Sequence, residues 1–252
     1  MHSRLRRRVR RQAPAGDVVV ATYNIHTCVG VDRRYNLPRI ARVLCELEAD
    51  VIALQEVDVR HRDLRQVDQW VYFSEETGLA AIPGPNVRDH RGRFGNAVLT
   101  RWPVVAVRQL DLSVDGREPR GAIDVDLAVG NRLLRVIATH LGLSGPERQT
   151  QTERLLDALE RDDGVRRDGI VVMGDLNEWR GRRGGILAMD RAIGPAPAPR
   201  TFPSWCPLLP LDRIYAGLDA ELAHVAPHRS PLARVASDHL PLKGALRWRA
   251  GG

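Results

Sequence analysis

An aspartate and a histidine stand side by side in Ser237-Asp238-His239-Leu240-Pro241-Leu242, at the entrance to the last apolar run of the chain. Adjacent side chains of a strand point to opposite faces, so Asp238 and His239 can share a site only where the backbone bends. Five more polar clusters lie upstream: Thr22-Tyr23-Asn24-Ile25-His26, Leu54-Gln55-Glu56-Val57, Ala138-Thr139-His140-Leu141, Gly174-Asp175-Leu176-Asn177-Glu178-Trp179 and Leu211-Asp212-Arg213-Ile214-Tyr215. Carboxylates, amides and histidines in this mixture suit metal-dependent cleavage of a phosphoester. The carboxylates can hold a hard cation, the amides and imidazoles can meet phosphate oxygens, and a carboxylate–histidine pair can move a proton.

Each residue has a role that its type permits. Glu56 follows four apolar residues, and a carboxylate emerging from a buried strand needs a cation, a donor or solvent. A Mg²⁺ ion would satisfy it, and Asn24 could bond a phosphate oxygen or a water of that ion. His140, at the end of an apolar run, can donate to a phosphate oxygen or to the leaving group. In Gly174-Asp175-Leu176-Asn177 the glycine permits a tight turn, and Asp175 and Asn177 can face one pocket; an Asx turn after a strand is the structural alternative. Asp212 could fix the tautomer of His239 and stabilise its imidazolium, which requires that their strands lie side by side. Arg117 and Arg120, in Gly116-Arg117-Glu118-Pro119-Arg120-Gly121, could clamp a phosphoryl group or form a solvated basic turn. Trp179, Arg180, Phe202 and Trp205 flank the motifs and are candidates to shape the substrate pocket. There is no Gly-x-Ser-x-Gly elbow and no Gly-x-x-x-x-Gly-Lys loop, so direct attack by water is preferred over a covalent intermediate.

The elements that must position these groups follow from periodicity. Val18 to Ile25 reads as a strand, Pro38 opens a helix with Ile40, Val43, Leu44 and Leu47 at helical spacing, and Val51 to Leu54 is the next strand. The plan repeats: Leu133 to Thr139 is a strand, Glu147 to Glu160 a helix with Leu155, Leu156 and Leu159 on its apolar side, and Ile170 to Met173 a strand. Two similar βαβ halves are implied. Between them, Ala97 to Leu99, Val104 to Leu110 and Ile123 to Val129 read as antiparallel strands, the last alternating apolar and mostly polar residues. Gly194 to Pro199 is a surface loop by composition. Helix-on-sheet-on-sheet-on-helix layering would bury both sheets, with the chemistry at strand ends.

The 252 residues carry a net charge of +7, but six arginines and no acid fall within residues 1–16, leaving a nearly neutral body. Residues 1–16 are read as a disordered basic tail able to bind nucleic acid, and residues 17–250 as one domain. No apolar run approaches the roughly 18 residues of a membrane span, and no apolar h-region follows the arginines. Three cysteines without Cys-x-x-Cys spacing suit neither disulfides nor zinc, so the expected compartment is the reducing cytoplasm. A monomer is expected.

The ordered series Tyr23-Asn24-Ile25, Leu54-Gln55-Glu56-Val57, Gly95-Asn96-Ala97, Thr139-His140-Leu141, Gly174-Asp175-Leu176-Asn177, Leu211-Asp212-Arg213 and Ser237-Asp238-His239-Leu240-Pro241 resembles the endonuclease/exonuclease/phosphatase superfamily over about residues 17 to 248. The resemblance implies a four-layered α/β sandwich of two packed mixed sheets related by a pseudo-two-fold axis. It also implies a Mg²⁺ site, with Mn²⁺ as an alternative, at Glu56, with Asn24 and Asp238 close to metal and phosphate. Asp175 would orient or deprotonate the attacking water, Asn177 would hold it or the phosphate, and His239, oriented by Asp212, would be acid/base or phosphate ligand. Whether Asp175 or His239 takes the proton is left open by the resemblance. His140 matches a histidine of the deoxyribonuclease and sphingomyelinase branches, and either Arg117 or Arg120 matches that branch's phosphate-contacting arginine.

Departures narrow the branch. His26 stands where abasic-site endonucleases carry an acid, and Asp58 follows Gln55-Glu56-Val57 where many nucleases place a base. Pro210-Leu211 replaces the Trp-Cys that precedes the matching aspartate in inositol-polyphosphate 5-phosphatases. The export signal and membrane-dipping hairpin common in the sphingomyelinase branch are not evident. The expected function is Mg²⁺-dependent hydrolysis of a phosphodiester in nucleic acid or a lipid head group. The alternatives are a phosphomonoesterase for inositol or sugar phosphates, and a non-catalytic binding module of the same fold.

Overall fold

A computed structural model describes residues 17–59, 68–90, 92–161 and 163–249; the basic tail and residue 250 lie outside them. Among the described residues the order is β1 (Val18–Asn24), α1 (Leu37–Leu47), β2 (Val51–Asp58), α2 (Gln69–Thr77), β3 (Ala80–Asp89), β4 (Gly92–Thr100), β5 (Val104–Asp111), β6 (Gly121–Val129), β7 (Arg132–His140), α3 (Gly145–Glu160), β8 (Gly169–Asp175), α4 (Gly184–Ala192), β9 (Asp212–Leu218), β10 (Ala220–Pro227), α5 (Ala233–Ala236) and β11 (Leu242–Trp248).

The helices begin where side chains satisfy their first free N–H groups. Asn36 Oδ1 accepts from the Arg39 N–H at the start of α1, and Ser144 and Glu147 form a reciprocal capping box on α3. Eleven residues are too few for α1 to persist alone in water. Its Ile40, Val43, Leu44 and Leu47 are all buried, each contributing roughly 1.5–3 kcal/mol against exposure, so packing rather than propensity stabilises it.

The strands form a six-stranded sheet ordered β10-β11-β1-β2-β4-β3 and a five-stranded sheet ordered β5-β6-β7-β8-β9. β1 and β2 pair in parallel across α1, and β7 and β8 pair in parallel across α3. An antiparallel strand flanks each pair on both sides: β11 and β4 in the first sheet, β6 and β9 in the second. The expected internal duplication is therefore present in the topology. Val20, Val51, Ala53 and Val98 of one sheet meet Ile123, Val125, Leu127, Val136 and Met173 of the other in a central core. Separate apolar layers join the first sheet to α1 and α2, and the second to α3 and α4. This is the four-layered α/β sandwich.

Three details differ from the sequence expectations. β6 alternates as expected, yet its polar face is buried as well: Asp124 and Asp126 lie under α3 and are paired by Arg108, Arg135 and Arg167 at 2.7–2.8 Å. β3 carries Pro83 and Pro85, which suit only an edge strand, and it occupies one. Asp212 and His239 do not lie on neighbouring strands: Asp212 opens β9 in the five-stranded sheet, whereas His239 precedes β11 in the six-stranded sheet. They face each other across the sandwich.

Candidate active site

The two parallel pairs end at one rim of the sandwich. In the first half, Asn24 at the end of β1 is in register with Gln55 of β2, and in the second His140 is in register with Asp175. Gln55 turns away and exchanges hydrogen bonds with Thr22. Glu56 enters the site instead, because a bulge in β2 and a φ of 59° at Glu56 turn its side chain inward. Such a φ is uncommon for a residue with a Cβ and points to a site that overrides local preference. In the second half Gly174 adopts φ 159° where an added Cβ would meet the Thr139 carbonyl. Asn177, at φ 51°, then brings its side chain back beneath His140.

Asp175 is the hub. Its Oδ1 accepts from the Asn177 N–H at 2.9 Å, so the Asx turn does form. Its Oδ2 accepts from Asn24 Nδ2 at 3.1 Å and lies 3.5 Å from His239 Nε2 and 3.6 Å from His140 Nε2. The turn and the shared pocket are thus one arrangement. Asn24 Nδ2 also donates to Glu56 Oε1 at 3.0 Å, tying the halves together. Behind His239, Asp212 Oδ2 bonds Nδ1 at 2.9 Å and accepts from Thr201 Oγ1.

The bend at Asp238-His239 is present and pinned. Ser237 Oγ donates to the Asn24 carbonyl, the His239 N–H donates to Ser237 Oγ, and the Ser204 N–H donates to the Asp238 carbonyl. Asp238 and His239 consequently line the same cavity, of about 530 Å³, with Asn24, Glu56, Arg120, His140, Asp175 and Asn177. Of the two arginines only Arg120 lines the cavity: it is buried and lies 3.1 Å from a ring nitrogen of His140, while Arg117 is exposed and does not line it. Arg120 and the Asn177 amide nitrogen, each 3.1 Å from a ring nitrogen of His140, can only donate, and a neutral imidazole accepts at one nitrogen alone, so His140 accepts from one of them and carries its hydrogen on the other side.

The two histidines sit in opposed fields. Burial pushes His140 down to about 3; Asp175 opposes this, while Arg120 and His239 add to it. Burial would also depress His239, but Asp212 and Asp175, with Asp238, outweigh it and push it up to about 10. Near neutrality these fields keep His140 neutral and favour the imidazolium of His239. Burial, together with Asp238 and Asp175, raises Glu56 above the usual carboxylate range, against the lowering influence of Asn24 and His26. A buried carboxylate among like charges fits a hard cation. Asp175, Asp212 and His239 also offer ligand atoms within 4.8 Å of one another, a group that could hold a metal ion, although Asp212 and His239 already share a hydrogen bond.

The model of the endonuclease/exonuclease/phosphatase family matches residues 21–239, from the strand carrying Asn24 to His239. The chain belongs to this family. Proteins of known sequence and structure resemble it over most of their length. YbhP of Escherichia coli (strain K12) is 34% identical over 248 residues, covering 90% of this chain and 95% of YbhP. The endonuclease/exonuclease/phosphatase structure from Beutenbergia cavernae DSM 12333 superposes with TM-score 0.73 at 23% identity, covering 93% of this chain and 72% of that one. The mannosyl-6-phosphatase Bt3783 of Bacteroides thetaiotaomicron VPI-5482 does so with TM-score 0.70 at 16% identity, covering 92% and 100%.

Several residues of this family member's site escaped the sequence reading. Glu118, one step past Arg117, lines the cavity and accepts from Arg120 Nη2 at 2.9 Å. Thr27 lines it from a turn of three successive left-handed residues, His26 to Cys28, whose types give no such signal. Arg148, on the first turns of α3, is buried; it donates to the Gly142 and Leu143 carbonyls and to Glu178, fastening the loop after His140 to the loop after Asn177. Of the shape candidates, Trp179 and Phe202 line the cavity, and Phe202 packs on the His239 ring at 5.0 Å between centroids. Arg180 and Trp205 do not line it. Residues 202–209 fold back on themselves, the Leu208 and Leu209 N–H groups both donating to the Phe202 carbonyl. Phe202 and Leu209 therefore face the cavity while Trp205 and Leu208 project from the loop.

Proposed function

We propose that the protein is a Mg²⁺-dependent phosphodiesterase that works by direct attack of water. The observation that carries this reading is the convergence on Asp175: an amide donor from each half and the imidazolium of His239 surround one carboxylate in a cavity that also holds Glu56 and the Arg120–His140 pair.

The cavity divides into two sides. Glu56 and Asp238, with Asn24 beside them, form the carboxylate side and would hold Mg²⁺, or Mn²⁺ in its place. When bound, the cation stabilises negative charge developing on the phosphoryl oxygens. The opposite side is rich in donors: Arg120 and the amide of Asn177, with His140 between them, orient a phosphodiester anion and stabilise its transition state. Against its burial, Asp212 and Asp175 push His239 toward its imidazolium, so Asp175 rather than His239 is taken as the group that orients and deprotonates the attacking water. As the water oxygen bonds phosphorus, the P–O bond to the leaving alkoxide breaks and that oxygen takes up a proton, the one removed by Asp175 being returned through solvent. His239, fixed by Asp212, donates a hydrogen bond to the phosphoryl oxygens.

A monoesterase is the second reading, favoured by the shared fold of a mannosyl-6-phosphatase. Bis(p-nitrophenyl) phosphate, glycerophosphodiesters, RNA, plasmid DNA and sugar phosphates, assayed with Mg²⁺, with Mn²⁺ and with EDTA, separate the two. The diesterase reading expects p-nitrophenol release without inorganic phosphate, abolished by EDTA and by Asp175→Asn. Inorganic phosphate from a sugar phosphate, faster than any diester turnover, establishes the monoesterase instead.

A further inference from the structure

The mouth of the cavity carries apolar side chains that the fold leaves uncovered. Leu143, in the loop after His140, is 67% exposed; Trp179, two residues past Asn177, is 41% exposed; Trp205 and Leu208, on the projecting loop, are 65% and 57% exposed. Among the described residues, Trp179 and Trp205 are the only exposed tryptophans. Single exposed apolar residues are ordinary, but a set concentrated on the loops around one cavity marks an interaction surface. Leu143, Trp179, Phe202 and Leu209 line the cavity itself, so the rim is continuous with the reaction site.

The charge beside this rim is positive. Arg180, Arg182 and Arg183 directly follow Trp179 and are exposed. Glu178, which precedes Trp179, is neutralised by buried Arg148 at 2.7 Å. Arg182 is tied to Asp190, while Arg180 and Arg183 are exposed, the Arg180 guanidinium lying 5.6 Å from the Trp179 ring centroid.

We propose that this rim docks on the surface of a bilayer containing anionic phospholipid and presents the cavity to a lipid phosphodiester, an inference that rests on the phosphodiesterase reading above. Tryptophan rings and aliphatic side chains enter the interfacial layer while adjacent arginines meet lipid phosphates. A single-stranded nucleic acid could stack on the tryptophans, but Leu143 and Leu208 have no ring to stack. No helix among the described residues is long and apolar enough to cross a membrane, so the attachment is peripheral.

Vesicles test the docking separately from the chemistry. The full chain is sedimented at high salt with equimolar phosphatidylcholine/phosphatidylglycerol vesicles, with and without bromine-labelled acyl chains. The expected result is salt-resistant association with quenching of tryptophan fluorescence, and a loss of about tenfold or more in affinity in Trp205→Ala/Leu208→Ser, whose melting temperature reports that it is folded. No association, or association that salt removes and the double variant leaves undiminished, overturns the docking surface and assigns any vesicle binding to the arginine tail. Quenching by oligothymidylate without vesicle association makes the rim a nucleic-acid platform instead. Turnover of soluble bis(p-nitrophenyl) phosphate by the unaltered protein is measured in parallel: if it fails while vesicles bind, the chemistry is wrong and the docking stands.

Discussion

The two βαβ halves share one backbone plan and end in opposite chemistry. In each, the residue after the first strand donates its N–H to the partner strand: Ile25 to the Gln55 carbonyl, Leu141 to the Asp175 carbonyl. In the second half the in-register acid, Asp175, enters the site directly. In the first, the in-register residue Gln55 is diverted to Thr22, and the next residue, Glu56, is turned in by its left-handed φ. The first half therefore offers Glu56, whose one hydrogen bond among the described residues is from Asn24, and the second offers Asp175 surrounded by donors. The two halves differ by a single bulge and by the residue type at two strand ends, and in the proposed function one half would hold the cation and the other the phosphate.

The largest expected effects break this division at its centre. Asp175→Asn keeps the size and Oδ1 contact but removes the base, and should lower kcat by roughly 10²–10⁴-fold with little change in the Mg²⁺ concentration for half-maximal rate. Glu56→Gln should do the reverse, raising that Mg²⁺ requirement by about tenfold or more while Mg²⁺ saturation restores much of the rate. Titrating each variant with Mg²⁺ decides it. If both variants shift metal dependence equally, the halves are not chemically distinct.

A second contrast lies on the outer faces. α1 packs on its sheet mainly through apolar residues, whereas α3 covers Asp124, which is fully buried between Arg108 and Arg135. Removing one member of a buried pair strands the other charges, at a cost of about 3–5 kcal/mol. Asp124→Ala should destabilise the protein by about that amount in urea melts. Asp126, held by Arg108 and Arg167, cannot also satisfy Arg135. A loss below about 1 kcal/mol would show that the network rearranges and that both helices dock by apolar contact.

Much of this division was legible in the sequence. The spacing of Ile40, Val43, Leu44 and Leu47 and the repeated βαβ interval report burial on one face, which is a property of local pattern. The capping box at Ser144 and Glu147 was equally local, and would have started α3 two residues before the expected Glu147. The remainder depended on contacts distant in sequence. Asp212 and His239 are 27 residues apart and meet between sheets, so no rule about strand neighbours could pair them correctly. Arg117 and Arg120 are the same residue type in the same turn, and only the position of His140 distinguishes them. β3 and β10 were missed because both lie at sheet edges, where prolines and exposed faces erase the alternation that marks a strand.

The histidines sharpen the contrast through pH. In metal-free protein, His140 has a folded value near 3 against 6.5 unfolded, so its contribution is complete above pH 6.5 and is lost as pH falls toward 3. His239, near 10 when folded, contributes fully below pH 6.5, and that contribution is lost as pH rises toward 10. Together they give a stability maximum near pH 6.5, with limbs sloping by at most about 1.4 kcal/mol per pH unit for each group. In EDTA, His140→Gln should flatten the acid limb and His239→Gln the alkaline one, as read by urea midpoints across pH. Exchange of the two effects would reverse the assignment of neutral imidazole and imidazolium.

The smallest effect on activity is expected where the duplication left a residue behind. Gln55 holds the place in the first half that Asp175 holds in the second, yet its amide is satisfied by Thr22 and it does not line the cavity. Gln55→Leu should cost about 1–3 kcal/mol of stability by leaving the buried Thr22 hydroxyl unpaired, while kcat per folded molecule changes by less than about twofold. Thr22→Val in the same background removes the stranded hydroxyl and should recover part of that stability. A fall in kcat that Thr22→Val does not reverse would mean that Gln55 reaches the reaction through Glu56, its neighbour in the bulge. The inward turn of that glutamate would then depend on the side chain before it as well as on its own backbone.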